Sequence, residues 1–169
     1  MGKRHLHYEA AVEDYLRNRG VAYVSVNEAR RAIFTDVTLK SFDFLVYTST
    51  NGNLLVDVKG RKLSGTGRGR SQLQNWATQE DLDDLAEWER VFGSGFHGVL
   101  VFTYWITQDL QSELFSSTYA FGNRRYGIQV VSARDYAHSA RPRSARWATV
   151  SIPSEDFTRI TRPIEYWLG

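Results

Sequence analysis

The chain has 169 residues, which is long enough for a hydrophobic core, and we expect residues 1–169 to form a single domain. Hydrophobic residues make up 42% and aromatic residues 14% of the sequence, which excludes a disordered chain. The absence of cysteine excludes disulfide bonds and cysteine-ligated zinc, and is typical of the reducing cytoplasm. The N-terminal residues form no long apolar stretch, so we expect neither a signal peptide nor a membrane partner.

The net charge of +2 is unevenly distributed along the chain. Residues 79–92 carry six acids and one base, which leaves 20 basic and 13 acidic residues, a net charge of +7, elsewhere. An excess of this kind suits a polyanion partner such as nucleic acid. A solvated, arginine-rich surface is the simpler explanation, and charge alone favours it.

Hydrophobic periodicity predicts a helix, three strands, a second helix and a fourth strand. The first helix spans 5–19. The second spans 79–92, begins at a Thr78 cap, and has Asp81 as the partner in a capping box. The strands are predicted at 21–26, 42–47, 54–59 and 98–106, and the last is an apolar run typical of a central strand buried on both faces.

The remaining segments have weaker patterns. Residues 27–40 are predicted to be a polar connection with a helical turn near 28–33, and residues 60–75 a mobile basic loop. Further strands are expected at 117–121, 126–131 and 147–152, short helices at 132–138 and 154–160, and a basic loop at 141–146. We find no repeat or linker that would indicate a second domain.

Two of the predicted strands flank Asn51 and Gly52, and Asn-Gly is the strongest short signal for a β-hairpin. Each strand carries an acid where a buried strand should be apolar: Asp43 in the first and Asp57 in the second. Lys59 follows at the second position after Asp57, so both side chains point to one face. Charged groups on a hydrophobic hairpin are costly unless they are paired, bind a metal or take part in catalysis.

This order of elements and acids resembles the PD-(D/E)xK nuclease superfamily, which has the restriction-endonuclease-like fold. Asp43 follows phenylalanine rather than the superfamily's proline, and the Asp-x-Lys sequence that begins at Asp57 has aspartate in place of the commoner glutamate. Glu9 stands where archaeal Holliday-junction resolvases of this superfamily carry a helix acid, and Glu13 is the alternative. The resemblance covers about residues 5–106.

The resemblance implies an α/β (α+β) fold, in which a mixed central sheet flanked by helices forms an αβββαβ core with extra C-terminal strands from 107–169. It implies Mg²⁺ or Mn²⁺ held by Asp43, Asp57 and the carbonyl of Val58, with Glu9 holding a metal-bound water or a second ion. Lys59 would stabilise the attacking hydroxide or the scissile phosphate. Homodimers are common in the superfamily, but the sequence indicates no interface.

A second resemblance covers the start of the first helix. The stretch from His7 to Glu13 is similar to the signature of the HYExAFE family of bacterial proteins, with Val12 in place of its phenylalanine. This resemblance suggests a bacterial protein and implies no activity.

The expected substrate is DNA, bound by basic residues that contact phosphates. These residues are Arg61, Lys62, Arg68, Arg70, Arg141, Arg143 and Arg146. Gln72 and Gln74 are further candidates for polar groups at the site. The acidic face of helix 79–92 should turn away from the nucleic acid. The five tryptophans are expected to lie in the core rather than to stack on bases, although an exposed one could do so.

The residues leave other interpretations open. Asp57 and Lys59 could form an ordinary ion pair, with Asp43 as a capping residue, but buried pairs rarely stabilise a fold on balance. The leading prediction is a metal-dependent nuclease that cleaves DNA. The alternatives are a nucleic-acid-binding protein that keeps the fold without catalysis and a nuclease directed at RNA.

Overall fold

The computed structural model describes residues 6–26, 32–34, 37–65, 69 and 73–169. The strands are β1 (Tyr23–Ser25), β2 (Ala32–Phe34), β3 (Val37–Leu39), β4 (Phe44–Tyr47), β5 (Asn53–Lys62), β6 (Ala77–Thr78), β7 (Phe96–Ile106), β8 (Tyr119–Phe121), β9 (Arg124–Ser132), β10 (Arg141–Ser144), β11 (Thr149–Ser151) and β12 (Arg162–Pro163). The helices are α1 (Leu6–Asn18), α2 (Gln79–Phe92), α3 (Ala133–Ser139), α4 (Ser154–Ile160) and α5 (Ile164–Leu168), with a 3₁₀ helix at Asp109–Leu114. Among these described helices, none has the length and apolar character needed to cross a membrane.

A seven-stranded mixed sheet forms the centre of the fold, in the order β1–β4–β5–β7–β9–β12, with β8 paired to β9. Strands β5 and β7 are parallel, and α2 lies between them in the chain. The other pairs in this sheet are antiparallel. Strands β10, β11 and β6 form a second, three-stranded sheet. The predicted mixed sheet with extra C-terminal strands is therefore confirmed.

Side chains alternate along β5 between two hydrophobic clusters. Leu54, Val56 and Val58 belong to a cluster with α1 on one face of the sheet. Leu55 belongs to the cluster on the opposite face, which contains buried side chains of α2, α3 and α4. Because the alternation has a period of two residues, Asp57 and Lys59 lie on the α2 face.

Strand β4 covers the first half of β5 and then diverges from it. The ladder between the two strands reaches Phe44, opposite Val56, while β5 continues beside β7 as far as Lys62. Just before Phe44, the Asp43 N–H donates to the Val56 carbonyl oxygen at 2.8 Å. The divergence leaves the second half of β5 beyond the end of the β4 ladder.

The local signals in the sequence agree with the structure. Both long helices lie within a residue of their predicted bounds, and Thr78 and Asp81 form the expected capping box. The hairpin turn contains Gly52 at φ 71°, and the Thr48 hydroxyl donates to the Gly52 carbonyl oxygen at 2.6 Å. These features depend on residues close in the chain.

Two connecting segments differ from the prediction. The predicted loop 60–75 begins as strand, because β5 keeps its parallel pairing with β7 through Gly60, Arg61 and Lys62. In the predicted polar connection, residues 32–34 pair with 37–39, so a helical turn is wrong for Ala32 and Ile33. The rest of that predicted turn lies outside the described residues. In both segments, pairing with another strand overrides the local preference.

The C-terminal basic segment also differs from the prediction. Residues Arg141–Ser144 form strand β10 rather than a loop, because they pair with β11. The predicted strand at 147–152 is shorter, Thr149–Ser151, and Trp147 lies in the turn before it.

Gly60 is required by the close approach of α1 to β5. A Cβ atom at this position would lie 2.2 Å from Cδ2 of the Tyr8 ring. We expect Gly60→Ala to lower the free energy of unfolding by about 3 kcal/mol, because the buried ring or the helix must move. Gly20→Ala is the control. Its φ of 66° is unfavourable for alanine, but an added Cβ would meet no atom within 4 Å among the described residues beyond its chain neighbours, so we expect a loss of about 1 kcal/mol. Urea unfolding measures both variants. Equal losses of stability in Gly60→Ala and Gly20→Ala would show that the close contact with Tyr8 is not responsible.

Candidate active site

A cleft of about 310 Å³ lies where β4 ends and β5 continues. Elements from both faces of the sheet contribute to it, because the β4 ladder no longer separates them. The lining residues are Tyr8, Glu9, Lys40, Ser41, Asp57, Val58, Lys59, Gly60, Arg61, Trp76, Thr78 and Asp81. The cleft therefore brings together the Asp-x-Lys sequence of β5, the acid of α1 and the N-terminus of α2.

Four charged side chains form a continuous chain of ion pairs in the cleft. The Lys59 ammonium lies 3.1 Å from Asp57 Oδ2 and 2.7 Å from Asp81 Oδ2. The other oxygen of Asp81, Oδ1, lies 3.0 Å from Lys40 Nζ. Lys59, Asp57 and Asp81 are largely shielded from solvent, whereas Lys40 is about half exposed. Two carboxylates thus share one buried lysine.

Burial and neighbouring charges shift the pKa values of these groups in different directions. Burial raises the pKa of Asp57; Lys59 opposes this shift without cancelling it, and the negative charge of Asp81 adds to it. Burial alone would raise the pKa of Asp81, but Lys59 and Lys40 hold it well below its usual value. Burial alone would lower the pKa of Lys59, but the two carboxylates raise it. Of the two acids that share Lys59, Asp57 is therefore the one whose negative charge is less stabilised by its surroundings.

Asp43 lies beside the backbone of Val58, at the point where β4 diverges. Its carboxylate Oδ2 accepts the Val58 N–H at 2.6 Å. Its Oδ1 is buried and has no hydrogen-bond partner among the residues that the structure describes, and the residue is only 4% exposed. A buried carboxylate oxygen is costly unless a positively charged or hydrogen-bonding group contacts it, so this oxygen is suited to accept a ligand.

The backbone of Val58 points towards the side of β5 on which Asp43 lies. The N–H and C=O of one strand residue point to the same edge of the strand, so the Val58 carbonyl is directed towards the side on which Asp43 lies. Asp57 is the residue before Val58 in β5. The carboxylates of Asp43 and Asp57 and the carbonyl of Val58 therefore all belong to Val58, to its neighbour in the chain or to a residue that contacts it.

These groups fit a divalent cation. Mg²⁺ prefers oxygen ligands and is usually held by one or two carboxylates while keeping several waters. The unpartnered oxygen of Asp43 and the raised pKa of Asp57 are both consistent with a position for a cation. In the part of the chain that the structure describes, no cluster of three or more acidic or histidine side chains suits a metal, so Glu9 does not complete such a cluster with the two aspartates.

The two candidate helix acids lie in different surroundings. Glu9 lines the cleft from α1. Glu13 instead accepts a hydrogen bond from the Tyr23 hydroxyl at 2.9 Å and pairs with Arg17 at 3.2 Å. Of the two, the structure brings Glu9 to the cleft.

Arg61 is part of the cleft wall and not of a mobile loop. Its guanidinium donates to the carbonyl oxygens of Gly60, at 2.8 Å, and Trp76, at 2.5 Å, and lies 4.0 Å from the centre of the Trp76 ring. Burial lowers the pKa of Arg61. Lys62 lies at the exposed end of β5, with its ammonium 4.7 Å from the centre of the Trp105 ring.

Of the other predicted basic contacts, the three C-terminal arginines belong to a different sheet from β5. Arg141, Arg143 and Arg146 are exposed on the hairpin formed by β10 and β11. Arg68, Arg70 and Gln72 lie outside the described residues and stay predictions. Gln74 is exposed, and its carbonyl oxygen accepts the Tyr104 hydroxyl at 2.9 Å.

Sequence reasoning missed Lys40 and the second role of Asp81. Asp81 caps α2 as predicted and also pairs with both lysines, because it is a buried residue of the first turn and does not belong to the exposed acidic face. The order of elements could have indicated the position of Asp81. A helix that connects two parallel strands begins near the carboxyl end of the first strand. Lys40 has no such signal, because it lies in an irregular connection.

The structure also contains the contacts that the simplest alternative predicts, namely an ordinary ion pair and a capping aspartate. The Asp57–Lys59 ion pair exists, and Asp43 accepts a backbone N–H. These contacts leave the Oδ1 of Asp43 without a hydrogen-bond partner in the part of the chain that the structure describes. A cation held by this oxygen would satisfy it.

Comparison with known proteins finds the fold but no close relative. No family model and no curated protein matches the sequence, so the HYExAFE resemblance is not confirmed. The fold is similar to the 1.6 Å structure of Hjc, a Holliday junction resolvase from the archaeal hyperthermophile Archaeoglobus fulgidus. The TM-score is 0.59 at 10% sequence identity, over 97% of this chain and 99% of that chain.

This similarity shows the fold: the chain has the architecture of that resolvase, with a mixed central sheet flanked by helices. It also extends beyond residues 5–106 into the C-terminal strands.

Asp81 should stabilise the folded protein through its charge. We expect Asp81→Asn to lower the free energy of unfolding at pH 7 by about 3 kcal/mol, because it leaves Lys59 and Lys40 undercompensated. The pKa of Asp81 is lowered on folding, so its stabilisation is complete above the unfolded pKa of about 3.9 and is lost as the pH falls below it. The difference in the free energy of unfolding between wild type and Asp81→Asn should therefore decrease below about pH 4.

Asp83→Asn on the exposed face of the same helix is the matched control. Its carboxylate accepts a hydrogen bond from Gln79 at 3.0 Å and lies in solvent, so we expect a change within about 0.5 kcal/mol. Urea unfolding at several pH values measures both variants. A pH-independent loss in Asp81→Asn would show that its charge is not responsible.

Proposed function

We propose that the chain is a metal-dependent nuclease that hydrolyses phosphodiester bonds in DNA at this cleft. The observation that carries the proposal is the buried Asp43 carboxylate. One of its oxygens accepts the N–H of Val58, the residue between Asp57 and Lys59, and the other has no hydrogen-bond partner among the described residues. An acid in this state is costly for stability, which favours a functional explanation. The resolvase-like fold supports nuclease chemistry and a DNA substrate.

In this proposal Asp43, Asp57 and the Val58 carbonyl hold Mg²⁺ or Mn²⁺. Such an ion, when bound, neutralises charge on the phosphate and makes a water nucleophilic at neutral pH. Glu9 lines the same cleft and would position a water from the α1 side.

Lys59 acts through its positive charge. Its pKa is raised by Asp57 and Asp81, so the side chain stays protonated at neutral pH and cannot serve as a general base. It would instead stabilise negative charge on the attacking hydroxide or on the phosphate. Asp81 is a positioning residue here, because it holds the ammonium group at 2.7 Å from the α2 side.

Basic residues around the cleft would bind the phosphates of the substrate strand. Arg61 lines the cleft, and Lys62 follows it at the exposed end of β5. Arg141 and Arg143 extend the positive surface along β10. Contacts of this kind position the strand and are not sequence-specific.

The activity is tested by cleavage of single-stranded, double-stranded and branched DNA, and of RNA, with Mg²⁺ or Mn²⁺. We expect Asp57→Asn and Lys59→Gln each to reduce cleavage by at least about 100-fold, a loss typical of removing an electrostatic catalytic group. Asp83→Asn should cleave like the wild type. Wild type that cuts no faster than Asp57→Asn would overturn the proposal, and cleavage of RNA alone would identify the RNA-directed alternative.

Metal binding is tested independently of activity by thermal unfolding. In EDTA at pH 7 we expect Asp57→Asn to be more stable than the wild type by about 1 kcal/mol, because folding raises the pKa of this acid and so disfavours its charged form. Mg²⁺ or Mn²⁺ should raise the melting temperature of the wild type and not that of Asp57→Asn or Asp43→Asn. Equal shifts in all three proteins would contradict a cation site at these residues.

A further inference from the structure

Trp147 is an exposed aromatic side chain at the tip of the β10–β11 hairpin. It is 66% exposed, although the sequence favoured a core position for it. The Arg146 guanidinium lies 5.0 Å from the centre of its ring. The next residue, Ala148, has a φ of 48°, in the left-handed region that alanine disfavours. An indole ring of this size left in solvent is available to a partner.

The hairpin is joined to the wall of the candidate active site. The Gln79 N–H, the first of α2, donates to the Ala148 carbonyl oxygen at 2.9 Å. Thr149 pairs with Thr78, and Thr78 lines the cleft. Trp147 is therefore fixed by backbone contacts next to the end of α2 that carries Asp81.

A second contact joins the hairpin to the cleft. The guanidinium of Arg143 lies 5.4 Å from the centre of the Trp76 ring, and that of Arg61 lies 4.0 Å from it. Trp76 and Arg61 both line the cleft. Arginine and aromatic side chains thus follow one another from β5 to the hairpin tip.

The hairpin is also strongly basic. Residues 141–151 contain three arginines and no acid. A positively charged surface with an exposed aromatic ring is the combination that binds single-stranded nucleic acid: the arginines contact phosphates while the ring stacks on a base. An apolar protein partner would have to desolvate these arginines, which is unfavourable.

We propose that Trp147 stacks on an unpaired base of the substrate, with Arg143 and Arg146 on the adjacent phosphates. This inference rests on the proposed function, which leads the substrate strand from Trp147 into the cleft. The stacking contact itself requires no catalysis. The inference specifies the class of substrate. Stacking requires a base whose face is free, so the substrate has single-stranded or splayed nucleotides beside the cleavage site rather than a continuous duplex.

The test measures binding in the Asp57→Asn background without divalent metal, using fluorescein-labelled oligothymidine of about 15 nucleotides and a blunt duplex. We expect Trp147→Ala to weaken binding of the single strand about tenfold, because one stacked base is lost. Trp147→Phe should lose less than about threefold, since a smaller ring still stacks. Duplex binding should change less than about twofold in either variant.

Tyr166→Ala is the matched control, because this aromatic residue of α5 is 61% exposed and does not line the cleft. It should bind both probes like the parent protein. Single-strand binding unchanged in Trp147→Ala, or reduced equally for the duplex, would overturn the proposal. Concentration-dependent self-association that Trp147→Ala abolishes would also overturn it, since Trp147 would then serve an interface between copies. If binding changes as expected but the wild-type protein does not cleave DNA with Mg²⁺ or Mn²⁺, the proposed activity is refuted and this inference stands.

Discussion

The buried ammonium group of Lys59 connects the central sheet to the helix that crosses over it. It lies between Asp57 on its own strand and Asp81 at the start of α2, at 3.1 and 2.7 Å. Charges at this depth are tolerated only when they are paired, so the strand and the helix end can meet here only if all three groups are satisfied together. This constraint fixes the α2 side of the cleft and keeps Lys59 protonated.

The charges of Asp43 and Asp57 are less well satisfied. In the part of the chain that the structure describes, Asp43 has one buried oxygen without a hydrogen-bond partner. Burial raises the pKa of Asp57 in spite of Lys59, and the negative charge of Asp81 adds to this shift. A sequence selected for stability alone would replace such acids, since apolar residues usually serve a buried position as well or better. Their presence where β4 leaves β5 is the physical argument for a bound cation and a reaction at this place.

The fold shows how little of the sequence this architecture requires. The chain shares the architecture of the archaeal resolvase at 10% identity, so this fold forms with few identical residues. Function depends on the few residues grafted onto that fold. In this chain they include a basic hairpin whose tip, at Trp147, is attached to the N-terminal end of α2.

The sequence by itself determined the two long helices and the four strands predicted around them, the Asn51–Gly52 turn and the shared face of Asp57 and Lys59, because these follow from local periodicity and turn chemistry. It also indicated Asp43 as a charge out of place. Only the tertiary structure decided that Asp81 pairs with both Lys40 and Lys59, that Arg61 belongs to a strand, and that Trp147 faces solvent. Each of these depends on contacts between residues far apart in the chain, which local patterns do not encode.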